Sequence, residues 1–400
     1  MPDTIHHALV LNLHQPQGNL DDMLNDPVEQ ERWHAKECLF AYDRIPRAVE
    51  GWEDVARVHI ATSGTLLEAL SNPEFQGRVY GIVKCGDVLW RWRNPAIEVI
   101  GTGYYHPVFP LIPAADRPEH IDRWLGIGRH LFDRPGFQGF WPPEMGFSME
   151  MIPLLKRAGY RYVFVDAEHI SPLTPMKWEE IRYRPHLAKF GDDEIIIIPR
   201  DRELSIAQEG GMETDWFIRE VNERCKWCNF EPLVCTATDG DNGGWFRNVR
   251  WASNFWGSFY HPFLHKARHG ESNVKPTFIH DYLDKHGAHG HVIVRTGAWN
   301  TGFHHGVGFV QWTGSQMQRD AWARLEEVSS QIHEAKWSAG ARGWPNETEN
   351  RFLEEALWRL LRAETSCHFF WGESWVHKAH AGMDDALGWL SKAKATAGSL

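Results

Sequence analysis

Three acidic residues stand where the sequence can hold a carboxylate rigidly. Glu144 lies in Gly139-Phe-Trp-Pro-Pro-Glu-Met-Gly146, behind two prolines that fix the backbone and so aim the side chain. Asp239 and Asp241 end the run Cys235-Thr-Ala-Thr-Asp-Gly-Asp-Asn-Gly-Gly-Trp245, a strand-like segment opening into a glycine-rich loop that lets backbone approach a ligand. Two carboxyls in unlike surroundings are what cleavage of a glycosidic bond needs. One attacks or stabilises the oxocarbenium-like centre, and the other, kept protonated by a less polar setting, protonates the leaving oxygen. An isolated Glu in a loop is ordinarily just a solvated acid, so this chemistry depends on the fold bringing the segments together. Asp239-Gly-Asp-Asn-Gly243 also invites comparison with a calcium loop, but it lacks the further oxygen ligands and the closing Glu.

The elements that must do the positioning are legible as alternating patterns. Short apolar or β-branched runs at 5–13, 56–62, 96–101, 137–142, 160–166, 194–199 and 232–238 predict buried parallel strands. Helical periodicity falls between them at 42–53, 65–71, 116–132, 149–158 and 214–226, whereas a helix directly after the first strand is poorly marked. Seven strand–helix repeats predict an α/β fold with the sheet closed into a barrel. From about residue 299 the pattern turns to long helices, at 316–336, 347–365 and 376–395, predicting a helical region packed on the barrel. The expected division is a catalytic barrel over 1–298 and a helical domain over 299–400.

In a parallel barrel every strand's carboxyl end opens on one face. The polar residues that follow the predicted strands are His14 and Gln15; Ser63; Tyr104, Tyr105 and His106; Glu144; Asp166, Glu168 and His169; Arg200 and Asp201; and Asp239 with Asp241. Among 21 tryptophans, Trp141, Trp245, Trp256, Trp299 and Trp312 sit in loop-like sequence near glycine or asparagine, where flat aromatic faces suit sugar rings. The net charge of -11 is spread without basic blocks, which argues against nucleic acid or anionic membranes as partners. No run is long and apolar enough to span a bilayer, and the first residues show no basic-then-apolar signal. Six irregularly placed cysteines fit a reducing cytoplasm; Cys225, Cys228 and Cys235 read as inert thiols rather than a zinc site, so neither metal nor cofactor is expected.

Five segments in order carry a family resemblance. Leu11-Asn-Leu-His14-Gln15-Pro16, Ile97-Glu98-Val-Ile-Gly101-Thr-Gly-Tyr104-Tyr105-His106-Pro107, Phe140-Trp141-Pro-Pro-Glu144, Asp239-Gly-Asp241-Asn242 and Arg362-Ala-Glu-Thr-Ser366 through Trp371 resemble the successive motifs of glycoside hydrolase family 57. The resemblance implies an incomplete (β/α)7 barrel followed by a C-terminal α-helical region, and a retaining enzyme acting on an α-glucan or oligosaccharide. It assigns Glu144 as nucleophile and Asp239 as acid/base, with the two carboxyls roughly 5 to 5.5 Å apart. His14, Gln15, Glu98, Tyr105, His106, Trp141, Asp241, Trp245 and Trp299 are then the candidate substrate-binding residues, with His304 and His305 as further candidates. The sequence departs from the family pattern at Asn12, where many members carry a second His, at Asp241 in place of Glu, and at Cys367 in place of Asp. Two rival readings are a metal-dependent carbohydrate hydrolase or deacetylase using His14 and His106 around zinc, and a glucan-binding relative without turnover.

Overall fold

The computed structural model describes residues 2–299, 308–342 and 346–397. Parallel strands Ile5–Leu13, Val58–Thr62, Ile97–Ile100, Gly139–Phe140, Tyr162–Asp166, Asp193–Arg200 and Leu233–Asp239 form one sheet. Taken in chain order, their spatial order is third, second, first, seventh, sixth, fifth, fourth. The third and fourth strands then meet through a bridge between Gly101 and Phe140, where Gly101 N–H donates to Gly139 O and Trp141 N–H to Gly101 O, both at 2.8 Å. The sheet is thus a nearly closed barrel of seven strands with a thin seam. Glycine is required at that seam, because a Cβ on Gly101 would come within 2.1 Å of Tyr160 and one on Gly139 within 2.4 Å of Tyr162. A second thin join lies between the sixth and seventh strands, which pair only at Arg200 and Cys235.

The first strand sits at the centre of the sheet and reads as a near-continuous buried run, from Ala8 through Leu13, because both its faces are covered. The predicted strand positions agree with the observed ones to within two residues at each end. The first long helix does not: it spans Glu29–Val49, not 42–53. Its first half is largely solvent-facing and shows no apolar period, while Gly51 at φ 79° turns the chain out after it. The helix predicted over 149–158 is a single 3-10 turn, Met149–Met151, followed by Ile152–Arg157 with a proline in its first turn. Strands too short or too polar to mark the sequence were missed. His186–Phe190 folds back antiparallel on Asp193–Arg200, Val274–Pro276 extends the sheet beside the first strand, and Ile170–Pro172 pairs Val292–Val294.

The helices Gln316–Ala341, Glu347–Ala363 and Glu373–Ala397 pack on one another and on the barrel. Ser315 caps the first of them in a reciprocal box with Gln318, and Asn346 caps the second. Buried polar contacts fix the docking: His120 Nε2 lies 2.8 Å from Glu364, His333 Nε2 lies 2.6 Å from Asp116, and Thr365 bridges to Pro107. This last contact carries the segment after Glu347–Ala363 onto the face where the strands end.

Candidate active site

Glu144 projects from the turn after the fourth strand with φ 57° and ψ 18°. Among the described residues four outside glycine have positive φ, and His106, Glu144 and Met145 are three of them. A non-glycine residue held there is strained, and such strain is kept where surrounding contacts over-determine the geometry. Those contacts are present. Ser366 Oγ donates to Glu144 Oε1 at 2.6 Å, Trp299 Nε1 donates to Oε2 at 2.9 Å, and His106 Nε2 lies 3.4 Å from Oε1. Ser366 Oγ accepts from Trp312 Nε1 at 2.8 Å, so its single proton is directed at Glu144. Ser366 N–H also donates to His106 O at 3.0 Å, locking the two supports together.

The imidazole of His14 lies flat on that of His106, with centroids 4.0 Å apart and planes within 7°. Its Nδ1 is 2.9 Å from Ser63 Oγ and its Nε2 is 3.5 Å from Cys367 Sγ. Asp239, half-buried at the end of the seventh strand, accepts at Oδ1 from Asn12 Nδ2 at 2.8 Å. Asp241 is buried and accepts from Tyr42 OH at 2.7 Å and His14 N–H at 3.2 Å, so it positions the loop and the first strand's end.

The two carboxyls are driven in opposite directions. Burial pushes Glu144 up, but His106, by hydrogen bond and charge, then Ser366 and Trp299 outweigh it and hold the group below the ordinary range. Burial, then the charge of Asp241, drive Asp239 well above its ordinary value, with Glu209 and Glu144 adding to the rise against the Asn12 hydrogen bond. Glu144 and Asp239 therefore feel one another's charge, and both act on the Cys367 thiol, which burial pushes up. The two carboxyls are thus held on opposite sides of the ordinary carboxylate range.

The remaining sequence candidates divide. Trp299 joins the site as a direct donor to Glu144, and the Arg200 guanidinium stands 5.5 Å over its ring. Trp141 is fully buried against Trp299 and Phe164, as a support for Trp299 and not an open platform. Trp245 is half-buried on the short helix Gly243–Arg247 that follows Asp241. Gln15 and Tyr105 are buried beside the site; Gln15 accepts from Asn19 Nδ2 at 2.8 Å, and Tyr105 packs on Tyr104 and Trp358. Glu98 lies deeper in the barrel, on the third strand, with His280 at 2.9 Å and with His59 and Tyr162 at 3.3 Å. Burial raises Glu98, yet those two histidines hold it down to about 2, so its partners are protein groups. Asp166 pairs with Arg200 and Arg202 below the rim. His304 and His305 lie outside the described residues.

Sequence reasoning passed over Ser366 as a site residue although it lay inside a quoted segment. A serine carries no chemical signature, and its role comes from a contact spanning 222 positions. His14 and His106 stack face to face, and among the described residues they belong to no group of three potential metal-ligating side chains.

The site thus places two unlike carboxyls at the carboxyl-terminal mouth of a barrel of seven parallel strands. Residues 30–292 match the family model described as Glycosyl hydrolase family 57, and the chain belongs to that family. It is 31% identical over 207 residues to an alpha-amylase of Pyrococcus furiosus, covering 51% of this chain and 28% of that protein. It is 27% identical over 206 residues to a 4-alpha-glucanotransferase of Thermococcus kodakarensis, covering 50% of this chain and 28% of that protein. The matched region is thus little more than a quarter of either relative. In structure the chain is similar to a GH57-type branching enzyme of Pyrococcus horikoshii, with TM-score 0.72 and 15% identity over 98% of this chain and 88% of the other. It is also similar to a 4-alpha-glucanotransferase of Thermococcus litoralis, with TM-score 0.64 and 18% identity over 96% of this chain and 59% of the other. These structural likenesses bear on the fold.

Proposed function

We propose that this chain is a retaining glycoside hydrolase or transglycosylase acting on α-glucans, with Glu144 as nucleophile and Asp239 as acid/base. The observation that carries the reading is the convergence of Ser366, Trp299 and His106 on Glu144, which holds it below the ordinary range while burial and Asp241 drive Asp239 above it. In the first step Asp239 gives its proton to the glycosidic oxygen as the bond to the anomeric carbon breaks, and Glu144 closes on that carbon as an ester. Asp239, now ionised, takes a proton from water or from a sugar hydroxyl, whose oxygen displaces Glu144 and restores the starting state. Water gives hydrolysis; a sugar hydroxyl gives transfer. The names of the curated relatives, alpha-amylase and 4-alpha-glucanotransferase, support an α-glucan substrate for both outcomes.

Ser366, Trp299 and His106 hold Glu144 in place before substrate arrives, so little reorganisation is left for the transition state. Incubation with a maltooligosaccharide ladder is expected to give shortened chains, redistributed lengths or branches. Glu144→Gln is expected to lower kcat/KM by about 10⁴-fold or more. Undiminished turnover by that variant, or wild-type binding without any product, sinks the proposal.

A further inference from the structure

At the opposite end of the barrel from Glu144, three chain segments bring metal-ligating atoms together. His6 stands at the start of the first strand, Glu231 just before the seventh, and His286 at the end of the helix Ile279–His286. Glu231 Oε2 lies 3.0 Å from His6 Nε2 and 3.2 Å from His286 Nε2, and all three atoms fall within 4.8 Å of one another. Tyr282 fixes the approach, its ring packing on His6 and its hydroxyl donating to Glu231 O at 2.7 Å.

Nε2 of His6 faces the cluster, while its Nδ1 lies 2.9 Å from Thr277 Oγ1, which is also 3.1 Å from Lys275 O. When the Thr277 proton goes to Lys275 O, the hydroxyl accepts from Nδ1–H and Nε2 presents a lone pair to a cation beside the Glu231 carboxylate. Zinc bonded at about 2.0 to 2.1 Å in a tetrahedron sets neighbouring ligand atoms about 3.3 Å apart, close to the two observed separations. Two imidazoles and a carboxylate are borderline donors of the kind zinc takes, and an acceptor for the outer ring N–H, here the Thr277 hydroxyl, fixes the tautomer of a metal-bound histidine. Lys285 Nζ now sits 2.9 Å from the same Glu231 oxygen, but its side chain is 61% exposed and can swing into water.

We propose that His6, Glu231 and His286 form a binding site for a zinc-type divalent cation, which clips the first strand, the segment before the seventh and the helix Ile279–His286 together. Solvent completes the coordination. The clip lies away from the cleft, so it acts on stability and leaves glucan turnover alone, and it does not depend on the catalytic assignment.

The test is calorimetric titration of the chelator-stripped full chain with ZnCl₂, alongside thermal melts with Zn²⁺ or Mg²⁺. One Zn²⁺ per chain and a higher Tm with Zn²⁺ alone are expected. His286→Ala and Glu231→Gln abolish this uptake, Thr277→Val weakens it about 10- to 100-fold without removing a ligand, and Lys285→Ala tightens it by removing the competing ammonium. His286 is exposed, so His286→Ala keeps the fold, which circular dichroism verifies. Absence of saturable one-to-one uptake by the wild type overturns the proposal. So does uptake that survives both ligand variants, or that is lost instead in His269→Ala, which breaks the neighbouring His265 and His269 ring pair.

Discussion

Glu144 is a buried carboxyl and Asp239 a half-buried one, and their immediate partners separate them further. Three groups converge on Glu144, while among the described residues Asp239 accepts from one amide and has a second acid two residues away. A group held below its ordinary value stays ionised until the pH falls through that lowered pKa, so in the proposed mechanism Glu144 is expected to set the acid limb of activity. Asp239, held above its ordinary value, loses its proton as the pH rises and in the same mechanism is expected to set the basic limb. Ser366→Ala removes a hydrogen bond to a charged group, worth about 1.5 to 3 kcal/mol. It is expected to move the acid limb to higher pH and to lower kcat/KM about ten- to a hundredfold. Asp241→Asn removes a neighbouring negative charge and should draw the basic limb to lower pH while the acid limb stays put. A pH–rate profile of kcat/KM for each variant checks both shifts; movement of the opposite limb in either case contradicts the assigned roles.

At the scale of elements, the barrel depends on a seam that only two small residues permit. Gly101→Ala places a methyl group against the Tyr160 ring and is expected to destabilise the chain by at least about 1 to 3 kcal/mol in denaturant unfolding. Tyr160→Ala in the same chain should recover part of that loss, so that the double variant is less destabilised than the two single effects added. Full additivity would mean that the seam is not set by this contact. The strands were legible because burial on both faces leaves a continuous apolar run that water-facing segments lack, as residues Ala8 through Leu13 show. The hairpin partner His186–Phe190 was not, since half of it faces solvent and its alternation is too brief to stand out. Much the same separates the site residues. Glu144, His106 and His14 announced themselves by following strands, whereas the placing of Trp141 behind Trp299 and of Glu98 between two histidines depends on tertiary packing.

Across the whole molecule, the helical region completes the site from outside the barrel, and one buried network makes that possible. Burial, and then Asp116, hold Glu364 well above the carboxylate range, while burial holds His120 down to about 3. Asp116 is in turn held below its ordinary value against burial by His333 and by Glu364. Barrel residues 116 and 120 are thus joined to helical residues 333 and 364. Over the pH range in which Glu364 keeps its proton, an amide imitates it well. Glu364→Gln is expected to unfold within about 1 kcal/mol of the wild type, and Glu364→Ala to lose about 1 to 3 kcal/mol by leaving buried partners unsatisfied. A carboxyl whose folded pKa exceeds its unfolded value of about 4.3 contributes fully below that value, and the contribution is lost as the pH rises through the folded pKa. Wild-type stability should therefore fall relative to Glu364→Gln across that window, a trend that denaturant unfolding at several pH values records. Because Ser366 stands two residues on and holds both Glu144 and the His106 backbone, Glu364→Ala should also lower kcat at temperatures where the variant is fully folded. If its kcat stays at the wild-type value there, the helical region holds the barrel together without shaping the surroundings of Glu144.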